Sequence, residues 1–404
     1  MAWAIIEHWL EFAVRWTHVI VGIAWIGSSF YFIALDLGLR PVAGRDDLQG
    51  EDWQVHGGGF YHLQKYRVAP DGMPEDLTWF KWESYSTWLS GFALLILVYY
   101  LGGELYLIDP TVLDIPLWAG ITISLVSIFG GWLIYDALCK SRFGEDNTKL
   151  MVLLFGVLVV MAWGYTQVFS GRAALLHLGA FTATIMSANV FRIIIPNQKI
   201  VVADMVAGRD VDPKYGKIAK QRSTHNNYLT LPVLFLMLSN HYPLAFASPY
   251  NWVIASLVFL MGVTIRHYFN TLHLTKRHLW WTWGATALLF ALIVALSFVP
   301  PRDTYDDREA AFSPEMSRLA ASPLFAEAHD TVAAHCSGCH AYEPGWVGLP
   351  RAPKGVLFET EYDTVFHARS IYLQAGLSHA MPPGVANYMS AEERALLRAW
   401  YEGS

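Results

Sequence analysis

Apolar residues fall into eight long runs, at roughly 9–37, 84–102, 117–138, 149–169, 173–195, 226–242, 249–270 and 279–299. Most match the ~20 residues that an α-helix needs to cross a hydrocarbon layer of about 30 Å. The sixth run is the shortest and carries Pro232, whose missing N–H predicts a kink, so seven helices is the competing count. The polar connections between the runs are unequal in charge. One alternating set holds 17 lysines and arginines, and the other set, at 103–116, 170–172 and 240–248, holds only Arg172. Under the positive-inside bias the first set is cytoplasmic and both termini lie outside. The first run continues for a full span, so it reads as an uncleaved helix rather than a short signal segment.

Two stretches break the pattern of apolar runs. Between the first and second lies a polar segment of over forty residues, in which Trp53 to Arg67 alternate aromatic and polar positions around Gly57-Gly58-Gly59. This predicts a cytoplasmic β-hairpin within about 50–82. Loops of that length usually work or are disordered, and the aromatic content favours work. After the eighth run, Pro300-Pro301-Arg302-Asp303 ends the membrane part and 302–322 reads as a charged tether. Ser322-Pro323 then predicts a helix start, and Ser390 with Glu393 three residues on predicts a capping box for a final helix whose apolar face is Leu396, Leu397 and Trp400.

Composition agrees with a membrane protein carrying a soluble tail. Of 404 residues, 54% are hydrophobic and 15% charged, and no basic stripe remains outside the membrane loops, which argues against nucleic acid. Only three cysteines are present. Cys139 stands alone beside Lys140 and reads as a plain reduced thiol. The other two belong to Cys336-Ser337-Gly338-Cys339-His340, the attachment signature of haem c, with the thiols forming thioethers and His340 binding the iron. Zinc would need two further ligands at knuckle spacing, and a thioredoxin-like motif would follow a strand. Met381, in His379-Ala380-Met381-Pro382-Pro383-Gly384, is the expected sixth ligand, with His379 or water as the alternative. Haem c is attached on the outer face of bacterial membranes, so the motif independently requires an external C-terminus. The fold class expected is thus an all-α eight-helix transmembrane bundle (1–301), a tether (302–322) and a C-terminal all-α cytochrome c domain (323–404).

Polar residues inside the runs are costly and serve as candidates for function. In the outer half, His18, His177 and His241 are candidate ligands of a haem b held by two of them, which would shorten the electron path to haem c; packing histidines are the competing reading. Near the cytoplasmic face, Glu83, His225, Asn227, Arg266, His267, Asn270 and His273 form a set suited to a flat anionic heterocycle. Arginine supplies forked hydrogen bonds, the amides pair with ring NH and carbonyl groups, and Glu83 or a histidine takes protons. Snorkelling interfacial charges are the bland alternative.

Several motifs together, His56-Gly57-Gly58-Gly59-Phe60-Tyr61-His62, Trp79-Phe80-Lys81-Trp82-Glu83, Thr87-Trp88-Leu89-Ser90-Gly91, Cys336 to His340 and Met381-Pro382-Pro383, give a chain that resembles the bacterial membrane-bound cytochrome c urate oxidases, urate hydroxylases of the PuuD type. The resemblance implies oxidation of urate to 5-hydroxyisourate in purine breakdown, with electrons leaving through haem c to an external cytochrome or terminal oxidase of the respiratory chain. It supplies no catalytic residues. The stretch His18 to Gly27 also looks like the opening helix of small haem b-associated membrane proteins. After Met381-Pro382-Pro383-Gly384 the spacing through Val385-Ala386-Asn387 is slightly stretched relative to that pattern. A quinol-oxidising electron-transfer subunit of a respiratory complex is the rival reading. A transporter with a fused cytochrome is disfavoured, because no internal repeat or paired broken helices occur.

Overall fold

The computed structural model describes residues 2–70, 73–74, 76–109, 112–299, 312–346, 349, 352–383 and 388–403. Pro300, Pro301, Arg302, Asp303 and residues 384–387, singled out above, lie outside these.

Helix α1 (Ala2–Gly38) leads into a two-stranded antiparallel sheet, β1 (Leu48–His56) and β2 (Gly59–Tyr66). The bundle continues with α2 (Trp82–Leu94), α3 (Leu117–Lys140), α4 (Asn147–Thr166), α5 (Gly171–Asn189), α6 (Ile195–Val206), α7 (Pro213–Leu238), α8 (Asn251–Thr275) and α9 (Trp280–Ser297). Local signals set several of the boundaries. Asp146, Ser170 and Asp212 each accept backbone N–H bonds at the starts of α4, α5 and α7, and Pro213 occupies the first position of α7. Lys276 ends α8 in the left-handed region at φ 58°. The hairpin expected between the first two helices is present, turning through Gly57 and Gly58 at φ 61° and 77°, as a two-residue turn of this kind requires.

Among the described residues six helical stretches are long and apolar enough to cross a membrane: Ile5–Gly38, Leu117–Lys140, Asn147–Thr166, Gly171–Val206, Asn251–Thr275 and Trp280–Ser297. The other two expected spans are helical but differ from the sequence reading. The run at 84–102 is α2 followed by a wide π-type turn over Leu95–Tyr100. The run at 226–242 is only the second half of α7, which begins thirteen residues earlier at Pro213. Lys214 to Arg222, read as a polar connection, are therefore helical, and Arg222 is buried.

Connections gather at two ends. At one, Ser170 donates to the Tyr106 carbonyl at 2.8 Å, and a side chain at Gly171 would strike the Phe246 carbonyl. At the other, Gln221 donates to the Gly144 carbonyl at 2.8 Å and Phe32 packs on Phe80. Helices approach closely where glycine allows it. Gly131 of α3 receives the Phe181 ring of α5, and Gly262 of α8 receives the Pro232 ring of α7, so the proline sits in a slot instead of on an open flank. The core between them is apolar, built on Leu107, Ile128, Leu154, Leu158, Leu175, Leu178, Phe181, Ile185, Leu236 and Phe259.

The C-terminal part has a separate core in which Leu319, Ala328, Val332, Ile371, Leu397 and Trp400 meet. Part of the expected tether is ordered: α10 (Pro314–Ala320), capped by Ser313, packs Leu319 against the last helix, with Trp400 Nε1 donating to its carbonyl at 3.0 Å. Helix α11 (Phe325–Cys336) starts three residues after Ser322. Helix α12 (Glu361–Phe366), a helical turn at Ala368–Ile371 running into a π-type turn over Tyr372–Leu377, and the final helix α13 (Ala391–Gly403) follow. The Ser390–Glu393 capping box is formed, at 2.6 and 3.1 Å. This part sits at the terminal end of the bundle, where Arg369 pairs with Glu7 at 2.7 Å and Gly355 lies against Phe246.

Candidate functional site

A belt of buried polar side chains crosses the bundle towards the hairpin end. Its depth is fixed by contacts between elements. Thr87 of α2 lies beside Gly22 of α1, and Phe80 stacks edge-on against Phe32, so Glu83 stands level with residues 22–32 of α1. Ser84 bonds Ser187 of α5 at 3.1 Å, and Asn226 of α7 donates to the Met186 carbonyl at 2.9 Å. Arg266 of α8 lies 4.0 Å from the centre of the Phe30 ring. Helices α1, α2, α5, α7 and α8 thus contribute to one layer.

The belt has two centres on opposite sides of α7. In the first, Arg266 donates to Asn227 Oδ1 at 3.3 Å and to Asn270 Oδ1 at 3.1 Å, while Asn270 donates to Asn227 at 2.9 Å. Arg266 is only 7% exposed. Among the described residues it is held by neutral amides and a ring face, with no carboxylate in ion-pair range. Asn227 Nδ2 and Glu83 Oε2 are buried without hydrogen-bond partners. A buried cation, a free amide donor and a free carboxylate oxygen at one depth leave charge and hydrogen-bonding capacity that a ligand would have to meet.

In the second centre, Arg222 pairs with Asp136 at 2.7 Å and reaches Asn189 at 3.4 Å. Asn189 donates to the Tyr135 hydroxyl at 3.0 Å and to Asn226 at 3.1 Å, and the Tyr135 hydroxyl lies 2.7 Å from His225 Nδ1. Asp136 also holds Lys140 at 2.5 Å. Here the buried arginine has a carboxylate partner within the protein.

The expected heterocycle-binding set therefore divides. Arg266, Asn227 and Asn270 come together, and Glu83 lies in the same layer. His225 belongs to the second centre, since α7 turns it towards Tyr135. His267 faces elsewhere, 3.3 Å from the Tyr228 hydroxyl and beside Trp281. His273 sits near the end of α8, almost two turns beyond Arg266. Sequence reasoning missed Tyr135, Asp136 and Asn189, although an acid beside a tyrosine late in an apolar run was a signal. It also took Arg222 for a loop charge.

The three histidines expected to ligate a haem b do not share a contact. His18 Nδ1 lies 3.1 Å from the Thr87 carbonyl, with its ring pressed on Gly91. His177 donates to the Ala173 carbonyl at 2.8 Å between the rings of Phe169, Tyr99 and Tyr165. His241 is exposed in the turn after α7. His177 Nε2 is buried without a hydrogen-bond partner among the described residues, whereas His18 is held by the α2 backbone and His241 lies in an exposed turn.

The C-terminal part fits a covalent haem. Cys336 and Cys339 are free thiols, and the turn that ends α11 brings His340 N–H onto the Cys336 carbonyl at 2.9 Å. Burial pushes the Cys336 thiol up to about 12, so it is neutral. His340 Nδ1 donates to the Val356 carbonyl at 3.0 Å, which fixes the ring and leaves Nε2 for a ligand, while burial lowers its pKa. Arg394, which was not singled out in the sequence, gathers the carbonyls of Ala375, Ser378 and Met381 at 2.7, 3.2 and 2.9 Å and so fixes the methionine loop.

Residues 4–297 match the model of a family described as urate oxidase N-terminal. The chain belongs to this family. The match stops where α9 ends, so the urate oxidase unit is the helical bundle with its hairpin, and the Cys336–His340 part lies beyond it. Neither the curated proteins nor the solved structures compared contain a match. The membership supports an oxidoreductase with a urate-related function.

Proposed function

We propose that the protein oxidises urate to 5-hydroxyisourate at the Arg266–Asn227–Asn270 centre. The observation that carries this reading is the buried Arg266, which is balanced by no carboxylate while Arg222 in the same belt is. Urate is flat, anionic and rich in ring NH and carbonyl groups. Arg266 neutralises its charge, Asn227 Nδ2 donates to a ring carbonyl, and Glu83 accepts a proton as charge leaves the ring. The balance is urate plus water giving 5-hydroxyisourate, two electrons and two protons. Water adds at the carbon from which the electron pair has gone, and in this reading one of the protons goes to Glu83, whose Oε2 is buried without a partner among the described residues.

Haem c, bound through Cys336, Cys339, His340 and Met381, would supply a one-electron acceptor, so each urate would require two successive transfers, the first electron being passed to the external acceptor before the second arrives. The residues of the C-terminal part hold that site rigid, with Val356 orienting His340 and Arg394 fixing the Met381 loop. The natural acceptor is then an external cytochrome c or a terminal oxidase. In this reading α2 and α7 also span the bilayer, giving eight spans in a bacterial inner membrane, with the lysine- and arginine-rich connections in the cytoplasm and both termini in the periplasm.

The test is urate-dependent reduction of the visible absorbance of the covalent haem in the purified protein. Arg266→Ala is expected to lower it about 100-fold or more, the scale of a lost charge-assisted anchor in a dry site, with the haem spectrum unchanged. Reduction by quinol but not urate would overturn the reading in favour of an electron-transfer subunit.

A further inference from the structure

The hairpin takes no part in the site, yet its placement is specific. Three ties connect it to α1. The Arg40 and Glu51 backbones exchange hydrogen bonds at 2.9 Å, Lys65 pairs with Asp36 at 2.6 Å, and the Tyr31 hydroxyl donates to Gln54 at 2.8 Å. Passing along β1 from Glu51 to Gln54, the contact moves back from Arg40, two residues past the end of α1, to Tyr31 within it. The hairpin is therefore folded back along α1, and its tip at Gly57-Gly58 lies farther towards the apolar part of that helix than Tyr31 does.

Strand register sorts the side chains by face. Gln54 and Lys65 are used against α1. The opposite face pairs Trp53 with His62 and Val55 with Phe60. Val55 and Phe60 are 70% and 79% exposed and Trp53 is 61% exposed. Residues 53–62 contain no Asp, Glu, Lys or Arg, whereas Arg45, Asp47, Glu51, Asp52, Lys65 and Arg67 collect at the base. Such a device is apolar at the end aimed at the bilayer and charged at the end away from it. Phe80 and Trp82 at the start of α2 are exposed at the same end of the bundle, where Trp280 and Trp281 open α9, the amphipathic ring pattern of a lipid interface.

We propose that the hairpin is an interfacial lipid anchor, with Val55 and Phe60 inserted into the boundary between headgroups and acyl chains beside α1, and Trp53 behind them. The depth is that of the interface, because the free strand edges need water or headgroups for their backbone hydrogen bonds. The occupant is lipid and not a protein partner, since the tip that carries this face lies alongside a helix that itself enters the bilayer, farther in than Tyr31 does.

The experiment uses the full haem-loaded chain, in which Cys336 and Cys339 are taken up as thioethers, in phosphatidylcholine/phosphatidylglycerol vesicles, with Cys139→Ser as background and the absence of label in that background confirmed first. Spin labels are placed at Val55→Cys and Phe60→Cys, with Lys217→Cys on the exposed face of α7 as the aqueous control. The ratio of relaxation by oxygen to relaxation by a water-soluble nickel chelate is expected to be several-fold higher at 55 and 60 than at 217. It should fall towards the control for the label at 60 when Val55→Asp is added. Circular dichroism confirms that each variant is folded. A ratio at 55 and 60 equal to that at 217 would show a tip in water, awaiting a protein or acting as a lid, and would overturn the proposal. Protection from both reagents would place the tip against protein and overturn it as well.

Discussion

Arg222 and Arg266 lie buried in the same layer but are compensated differently, and their substitutions should part accordingly. Asp136→Ala removes the carboxylate that offsets Arg222 and leaves a buried charge unpaired, at a cost of about 3–5 kcal/mol. The expected outcome is a large drop in the yield of monodisperse protein and in its melting temperature. Arg266→Gln removes a charge that nothing in the fold balances, so folding should survive while urate-dependent reduction is lost. Melting curves alongside turnover separate the two. A third residue gives a pH dependence. The hydrogen bond from His335, at 2.9 Å, and the Ser390 N–H hold the Glu393 carboxyl below its ordinary value of 4.5. A carboxyl lowered by folding stabilises above its unfolded pKa and loses that contribution as pH falls through the folded one. The C-terminal part should therefore melt at lower temperature below pH 4 than at pH 7, and Glu393→Gln should flatten that difference.

At the scale of elements, the decisive contact is that of α7 with α8. Pro232 fits against Gly262, about one turn of α8 from Arg266, so that contact also sets the separation across which Asn227 meets Arg266 and Asn270. Gly262→Leu should push the helices apart and cost about 1–3 kcal/mol by overpacking. The measurable result is a raised KM for urate with covalent pigment retained. The hairpin and most helices were legible because aromatic alternation and long apolar runs each fix a period. The start of α7 was not, since residues 213–222 are polar and a polar stretch beside a span reads as a loop whether or not it is helical. Arg222 was misplaced for the same reason. Arg266, Asn227 and Asn270 were legible by helical spacing and type, whereas His225 and His267 were grouped with them only because neighbours in sequence share a depth. Which side of α7 or α8 each histidine faces depends on how those helices are rotated, and packing at Gly262 and Gly131 sets that.

On the scale of the molecule, the C-terminal part is held to the bundle by few polar ties. Arg369 and Glu7 are both partly exposed, and such a pair contributes no more than about 1 kcal/mol. Arg369→Glu places like charges opposite one another. It should leave the spectrum of the C-terminal part unchanged but slow urate-driven reduction, an effect that weakens as salt is raised. The belt carries a different implication. Its members run from Phe30 to Asn270, so it is incomplete until the ribosome has delivered nearly the whole family domain to the translocon. On the proposed reading no shorter nascent chain would bind the heterocycle, and the thiols at 336 and 339 leave the ribosome after every residue of the belt, so translation delivers the bundle before the segment proposed to carry the haem.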